Sequence, residues 1–450
     1  MNGKALLDYL NSSAAADQLV SLYGSDEPDA ARRRYASLVE GLILDEPSGF
    51  PKNEFPETAG ELRVFTAAGR TELGGNHTDH NRGKVLAASI QLDSAAIVAP
   101  RKDKKVFFRS TGYPDVSVDI SDLSPQTAEK GTTEALVRGI AAEFAARGFA
   151  PGGFTANADS TVLPGSGLSS SAAVEVLFGR IFDKLYGGGR LSALEIAQIG
   201  QKAENNYFGK PCGLMDQTAC ASGGAVAIDF ADLAAPQVKQ INFDPASAGF
   251  VLCVVNTWGN HADLTPDYAA IPEEMYAAAK FFGKTVLRET NLETVLSRAA
   301  ELRKALGDRA LLRSIHFFNE NDRVTAMQQA LEQLDAGANT EAKQRAVNAY
   351  LALVNESGDS SWELLQNIYS PKDPANQGLT TALALSKEFI RTQGGSGACR
   401  VHGGGFAGTI QAYIPTELFE SYRNIMDTIF GEKSVTPIRI RPVGAEELQF

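Results

Sequence analysis

Apolar and polar positions along this 450-residue chain change period several times. From "ELRVFTAAGR" (61–70) the apolar positions alternate. "GKVLAASIQLDSAAIVAP" (83–100) and "KKVFFRSTGYPDVSVDI" (104–120) continue as strand-like runs punctuated by Gly, Pro and Asp, which predicts a sheet built early in the chain. "TEALVRGIAAEFAARGF" (133–149) reads as a helix closed by Gly148, and "GFTANADSTVLP" (153–164) returns to alternation. Val174, Leu177, Phe178, Ile181, Phe182 and Leu185 then recur at helical spacing until "GGG" at 187–189 stops them. That helix must bury one face.

A further helical stretch covers 192–207, "GGAVAIDF" and "GFVLCVVNT" are apolar strands, and helical patterns dominate roughly 272–365. The chain closes on two strand-bearing segments, "ACRVHGGGFAGTIQAYIP" and "SVTPIRIRPV". Residues 1–60 read as one or two short helices ending in the proline-broken "DEPSGFPKNEFPET", a surface lead-in. The mixture predicts an α+β protein, β-rich first and more helical later.

Composition narrows the function. With 44% hydrophobic and 21% charged residues the chain is an ordinary globular protein, long enough for two domains. A formal charge of −12 argues against holding nucleic acid or an anionic membrane through the overall field, so an anionic ligand needs a local cradle. The four cysteines show no C-x-x-C pairing, which suggests neither a disulfide framework nor a zinc site. No stretch approaches ~18 uncharged apolar residues, and the first twenty residues lack the apolar core of an export signal. A cytoplasmic protein with reduced thiols, monomeric or weakly self-associating, is the expectation.

Several motifs fail on context. "GGGFAG" (403–408) has the spacing G-x-G-x-x-G, but a strand pattern follows where a dinucleotide site needs a helix. "AAKFFGKT" (278–285) has Ala where a phosphate-binding P-loop needs its first Gly. His77 and His80 lack the H-E-x-x-H pattern of zinc proteases. One loop is stronger. "LPGSGLSSSAAVEV" (163–176) lies between a strand and an amphipathic helix, where glycines let backbone N–H groups converge, serines add donors and the helix adds its positive end. An isolated Gly/Ser loop is more often a plain turn with a capping serine, yet three consecutive serines exceed what a cap requires.

"PGSGLSSSAA" resembles the central motif of the GHMP kinases, "GRTELGGNHTDHNRG" (69–83) resembles the galactokinase signature, usually close to G-R-x-N-L-I-G-E-H-x-D-Y, and "GGGFAGTIQAYI" is similar to the family's third, glycine-rich motif. "AENNYFGKPCGLMDQ" (203–217) is similar to the stretch carrying the catalytic aspartate. The ordered set spans most of the chain. The resemblance implies a two-domain GHMP kinase fold, an N-terminal α+β domain (1–245) and a ferredoxin-like C-terminal domain (246–450), with ATP and sugar in the cleft between them. It implies that Asp216 lies beside the anomeric hydroxyl and Arg70 beside Asp216 and the γ-phosphate. A cation there would keep the Asp ionised and stabilise phosphoryl charge. Pro164, Gly165, Ser166, Gly167, Leu168, Ser169, Ser170 and Ser171 would hold ATP, Gly404 and Gly405 would close the nucleotide side, and Ser171 with Glu204 would hold Mg²⁺. Asn76, His77, Asp79, His80 and Tyr268 would contact the sugar.

The signature also departs from its family. Asn76 stands for the usual Glu, Glu72 for Asn, Gly74 for Ile and His80 for Tyr. An Asn amide can donate to a sugar acid that a carboxylate would repel, and His80 can add positive charge. Galacturonate therefore stands beside galactose as acceptor. A non-catalytic sugar and ATP sensor is a further alternative, against which the uninterrupted "GLSSSAA", Arg70 and Asp216 argue.

Overall fold

Alternating segments of the first half become strands of one sheet. The computed structural model describes residues 1–25, 28–43, 61–162, 165–259, 264–335 and 339–449. In chain order the strands are β1 (Arg63–Gly74), β2 (Lys84–Pro100), β3 (Lys105–Ser110), β4 (Val116–Asp119), β5 (Phe154–Ser160), β6 (Ala225–Asp229), β7 (Gln237–Ile241), β8 (Phe250–Asn256), β9 (Ala398–Val401), β10 (Thr409–Pro415), β11 (Val435–Ile438) and β12 (Ala445–Leu448). The first sheet is eight-stranded and runs β12-β1-β2-β5-β3-β4, with β6 also on β2 and β7 on β6. Only β3 and β5 pair in parallel among its described strands.

Successive residues of a strand face opposite sides, and both sides of this sheet are covered. Phe65, Ala96 and Val98 face helices Thr133–Ala146, Ser170–Phe182, Ala193–Ala203 and Met215–Ser222. The predicted apolar stripe supplies Leu177, Phe178, Ile181 and Phe182 to that core. Val64, Ala95 and Ile97 point the other way. They are covered by the segment expected to be a surface lead-in, which instead forms helices Gly3–Leu10, Ser13–Tyr23 and Pro28–Ile43. Its Leu6, Leu10, Leu19, Tyr35, Leu38 and Val39 are buried, because an apolar sheet face left open would stay in water. The proline-broken stretch that follows lies outside the described residues.

The second sheet, β11-β8-β10-β9, is antiparallel throughout. Helix Gly378–Thr392 precedes β9, and helix Phe419–Phe430 lies between β10 and β11. Strand, helix, two strands, helix, strand in the order 4-1-3-2 is the ferredoxin-like arrangement. The helical region, including Asp308–Asp335 and Thr340–Ser360, is inserted between β8 and the Gly378 helix. Assigning all of 246–450 to the second unit needs correcting, because β12 returns to the first sheet beside β1. Ala445 joins the core on one side of that sheet and Leu448 the core on the other.

One carboxylate ties these returning segments together. Asp93 of β2 is fully buried and accepts hydrogen bonds from Tyr23 at 2.7 Å, Arg34 at 2.6 Å and Arg441 at 2.8 Å, and from the Thr66 hydroxyl. Burial pushes its carboxyl up, but the two guanidinium groups and the hydrogen bonds outweigh burial and hold it at about 2. Asp93→Asn should lower the unfolding free energy by about 3–5 kcal/mol in urea titrations at neutral pH, because it leaves buried arginines uncompensated. The folded pKa lies below the ordinary 3.8, so this contribution is complete above that value. The gap between wild type and variant should close as pH falls toward 2.

Candidate active site

β1 delivers the first functional residue through a break in its own ladder. Ala68 faces Asp93 on β2, yet Arg70 faces Ser89, and an irregularity of this kind bends a strand and re-aims a side chain. The Arg70 N–H donates to the Leu168 carbonyl at 3.0 Å, so at this irregularity β1 meets the glycine-serine loop while it stays paired with β2. The Arg70 guanidinium grips Asp216 with two bonds, Nε to Oδ1 and Nη2 to Oδ2, each 2.8 Å. Nη1 donates to the Gly167 carbonyl. Asp216 lies in the first turn of helix Met215–Ser222, and the Ser169 hydroxyl donates to its Oδ2. Arg70, 7% exposed, is the hidden partner, and the Asp216 carboxylate, 33% exposed, is the reachable one. Burial raises the Asp216 pKa, but the charge and hydrogen bonds of Arg70 and the Ser169 hydroxyl prevail and hold it below the usual carboxylate value.

The loop has the geometry of an anion cradle. Gly165, Gly167 and Ser169 have φ of 73°, 71° and 61°; left-handed residues alternating in a loop turn successive N–H groups toward one concavity. Ser169 holds this conformation at the cap of helix Ser170–Phe182, a strained state for a residue with a side chain. Ser166 and Leu168 are buried, and they serve the loop through their backbones: the Ser166 carbonyl accepts from Thr409 at 3.0 Å. Gly165 and Ser171 are exposed, and Pro164 lies outside the described residues.

A second acidic group lies on the other side of Asp216. Glu204, 3% exposed, accepts from Gln217 at 3.0 Å and from the Lys210 amine at 3.2 Å. Gln217 also donates at 2.9 Å to Glu175, which stands one turn after Ser171 on the same helix and so on the same face. Burial, then the neighbouring Glu204, pushes the Glu175 carboxyl well up. Among the described residues no group of three or more His, Cys, Asp and Glu could hold a metal.

The signature turn closes the remaining side. His77 bonds the Gly404 carbonyl at 3.0 Å, and the Tyr268 hydroxyl donates to the Gly405 carbonyl at 2.9 Å. The second glycine loop, expected on the nucleotide side, is thus held by His77 of the signature turn and by Tyr268 of helix Thr265–Phe281. A Cβ at Gly404 would lie 2.5 Å from the Tyr268 ring. Burial drives His77 well below the ordinary imidazole range, so the ring is neutral. Asp79 reaches the loop that leads into Asp216, where a Cβ on Gly213 would lie 1.9 Å from its Oδ2. His80 lies beside it, its ring nitrogen 3.8 Å from Asp79 Oδ1.

Residues 135–224 match the family described as GHMP kinases N terminal domain, and residues 52–100 match the galactokinase galactose-binding signature. A galactokinase of Glaesserella parasuis is 32% identical over 375 residues, which cover 82% of this chain and 89% of that protein. The chain belongs to the galactokinase family. A galactokinase of Mannheimia succiniciproducens is likewise 32% identical over 390 residues, 85% of this chain and 93% of its own. Among solved structures, Lactococcus lactis galactokinase complexed with galactose superimposes with a TM-score of 0.72 at 24% identity over 87% of this chain and 96% of that one. Methanococcus jannaschii mevalonate kinase shares the GHMP kinase fold, with a TM-score of 0.56 at 13% identity over 86% and 99%.

Against the galactokinase signature, the two departures at 72 and 76 touch each other. Asn76 Nδ2 donates to Glu72 Oε1 at 3.1 Å and to the Gly403 carbonyl at 2.7 Å, while its Oδ1 accepts from Asn367 at 2.8 Å. Glu72 pairs with Arg400 of β9, and both side chains are buried. Carboxylate and amide have exchanged places, and Arg400 neutralises the carboxylate. Asn76 is fully buried, and its amide is engaged by Glu72, Gly403 and Asn367. The galactokinase relatives do not favour the galacturonate alternative. Sequence reasoning missed Glu175, Gln217, Asn367 and Arg400. Gln217 directly follows Asp216, which was a usable signal; Asn367 and Arg400 lie outside any motif stretch that faces the site.

Asn76→Glu alone should destabilise the protein by about 3 kcal/mol or more, because it encloses a second carboxylate beside Glu72. Glu72→Asn alone should cost about 3–5 kcal/mol by leaving Arg400 uncompensated. The double exchange restores one carboxylate and one amide, and a denaturation double-mutant cycle should return a favourable coupling of about 1–3 kcal/mol.

Proposed function

We propose that this protein is an ATP-dependent galactose 1-kinase, transferring the γ-phosphate of ATP to the anomeric hydroxyl and releasing ADP. The observation that carries the reading is the two-bond Arg70–Asp216 pair beneath the glycine-serine loop, with Ser169 bonded to the same carboxylate. Phosphoryl transfer needs positioning and charge neutralisation more than covalent chemistry, and these groups supply both. The half-buried carboxylate accepts the hydrogen bond of the sugar O1–H. O1 bonds to the γ-phosphorus as the bond from that phosphorus to the bridging oxygen breaks. Asp216 is a weak base because its pKa is lowered, so it orients the hydroxyl first and takes the proton late, once O1 is largely bonded to phosphorus. Arg70 faces the charge that develops on the migrating group.

A magnesium ion fits the residues present. Glu204 is a buried carboxylate, Glu175 Oε1 and Gln217 Oε1 nearby are buried without partners, and an all-oxygen set completed by nucleotide and water suits Mg²⁺. Glu204 and Ser171 would hold it, and the ion when bound would neutralise phosphate charge. His77, Asp79, His80 and Tyr268 are the side chains we place around the sugar. A polyol site rejects sugars that leave its polar groups unpaired, at about 1–3 kcal/mol for each such group.

No helix among the described residues is long and apolar enough to cross a membrane, in keeping with a soluble cytoplasmic kinase. Asp216→Asn should lower galactose-dependent ADP release by at least about 100-fold while galactose still raises the melting temperature. A pure sugar sensor would show the stabilisation with no ADP release even in the wild type. Because Asp216 titrates below the ordinary carboxylate value, wild-type kcat/KM should show no acid limb through the range where free carboxylates protonate. An inflection at the ordinary value would contradict the Arg70 pairing.

A further inference from the structure

Lys210 lies in the loop between the turn that carries Glu204 and the helix that carries Asp216, and nothing above gives it a role beyond touching Glu204. Its backbone is fixed. The N–H groups of Gly209 and Lys210 both donate to the Glu204 carbonyl, at 2.9 and 3.2 Å, and the Cys212 N–H donates to Asn205 Oδ1 at 2.8 Å. From this anchored start the side chain folds back on the same residue, placing Nζ 3.2 Å from Glu204 Oε1. The lysine side chain is 62% exposed and the carboxylate 4%, so an ammonium reaches a buried acid from the solvent side. Lys210 is the cation that faces Glu204 in this geometry, since Gln217, which also donates to Glu204, is neutral and is shared with the buried carboxyl of Glu175.

We infer that Lys210 is the stand-in cation of Glu204: it occupies the carboxylate when no metal is bound, competes with magnesium for it, and so sets the metal requirement of the nucleotide site. The inference rests on the placement of Mg²⁺ at Glu204 proposed above. An ammonium and a divalent ion on the same carboxylate repel each other. Metal binding at Glu204 therefore works against the Lys210 contact and favours its displacement. The ammonium is largely solvated, so displacement is easy, and its penalty on metal affinity is small, about fivefold.

The test is Mn²⁺ binding to the full chain in the presence of a non-hydrolysable ATP analogue, read by electron paramagnetic resonance for wild type, Lys210→Met, Lys210→Arg and Glu204→Gln. Lys210→Met should bind Mn²⁺ about fivefold more tightly, Lys210→Arg should match wild type because the charge is retained, and Glu204→Gln should bind more weakly. Equal or weaker binding by Lys210→Met overturns the inference, the weaker result meaning that the lysine serves the phosphates. Unchanged binding by Glu204→Gln overturns it together with the metal placement. Galactose-dependent ADP release by the wild type, measured on the same preparation, tests the proposed function separately, so an active kinase with an unmoved Lys210→Met would sink only the competition.

Discussion

The two-bond pairing of Arg70 with Asp216 is the constraint on which the rest of the site depends. It joins residues 146 positions apart in sequence, at the point where β1 breaks register after Ala68. The guanidinium also holds the Gly167 carbonyl, so one side chain sets the distance between the glycine-serine loop and the acid. Removing its charge would leave only the Ser169 hydroxyl and Lys210 to oppose burial, which favours the protonated form of Asp216. Position and ionisation of the acid therefore have the same cause.

Beside the apolar cluster shared by the two sheets, a buried polar seam joins them and carries the site's second loop. Gln411 of β10 donates to the Thr71 hydroxyl at 2.7 Å and to the Glu72 carbonyl at 2.9 Å. His402 bonds Thr71 at 3.1 Å and Thr409 at 3.0 Å, and burial with the nearby arginines keeps its ring neutral. The Glu72–Arg400 pair crosses the same seam. A seam of directional bonds holds one relative placement of the sheets, where an apolar contact would tolerate sliding. The glycine turn at 403–405 inherits that placement, because Asn76, His77, Tyr268 and Asn367 all hold its carbonyls.

Much of this was legible in the residues and some was not. The apolar stripe from Val174 and the strand pattern from residue 61 each state a local geometry that burial then enforces, and both elements form where periodicity put them. Residues 1–43 misled because short amphipathic helices look alike whether they cover a sheet or trail in solvent; the missing fact was the open face of Val64, Ala95 and Ile97. The return of β12 was hidden for a similar reason, since four residues carry no partner information. Arg70, Asp216 and the serine loop could be named because their chemistry is local to motifs. Asn76 could be named but not aimed. Its amide was read against a sugar, whereas Arg400 and Asn367, far away in sequence, determine where that amide is spent.

The central claim is that Arg70 holds an ionised Asp216 against the oxygen that receives the phosphoryl group. Phosphorus-31 NMR of the chain with ATP, Mg²⁺ and galactose, beside Arg70→Met, tests it most directly. The account predicts a new sugar phosphomonoester coupled to the anomeric proton in the wild type, and no such signal from a folded Arg70→Met. The same product formed by Arg70→Met at the wild-type rate would contradict it.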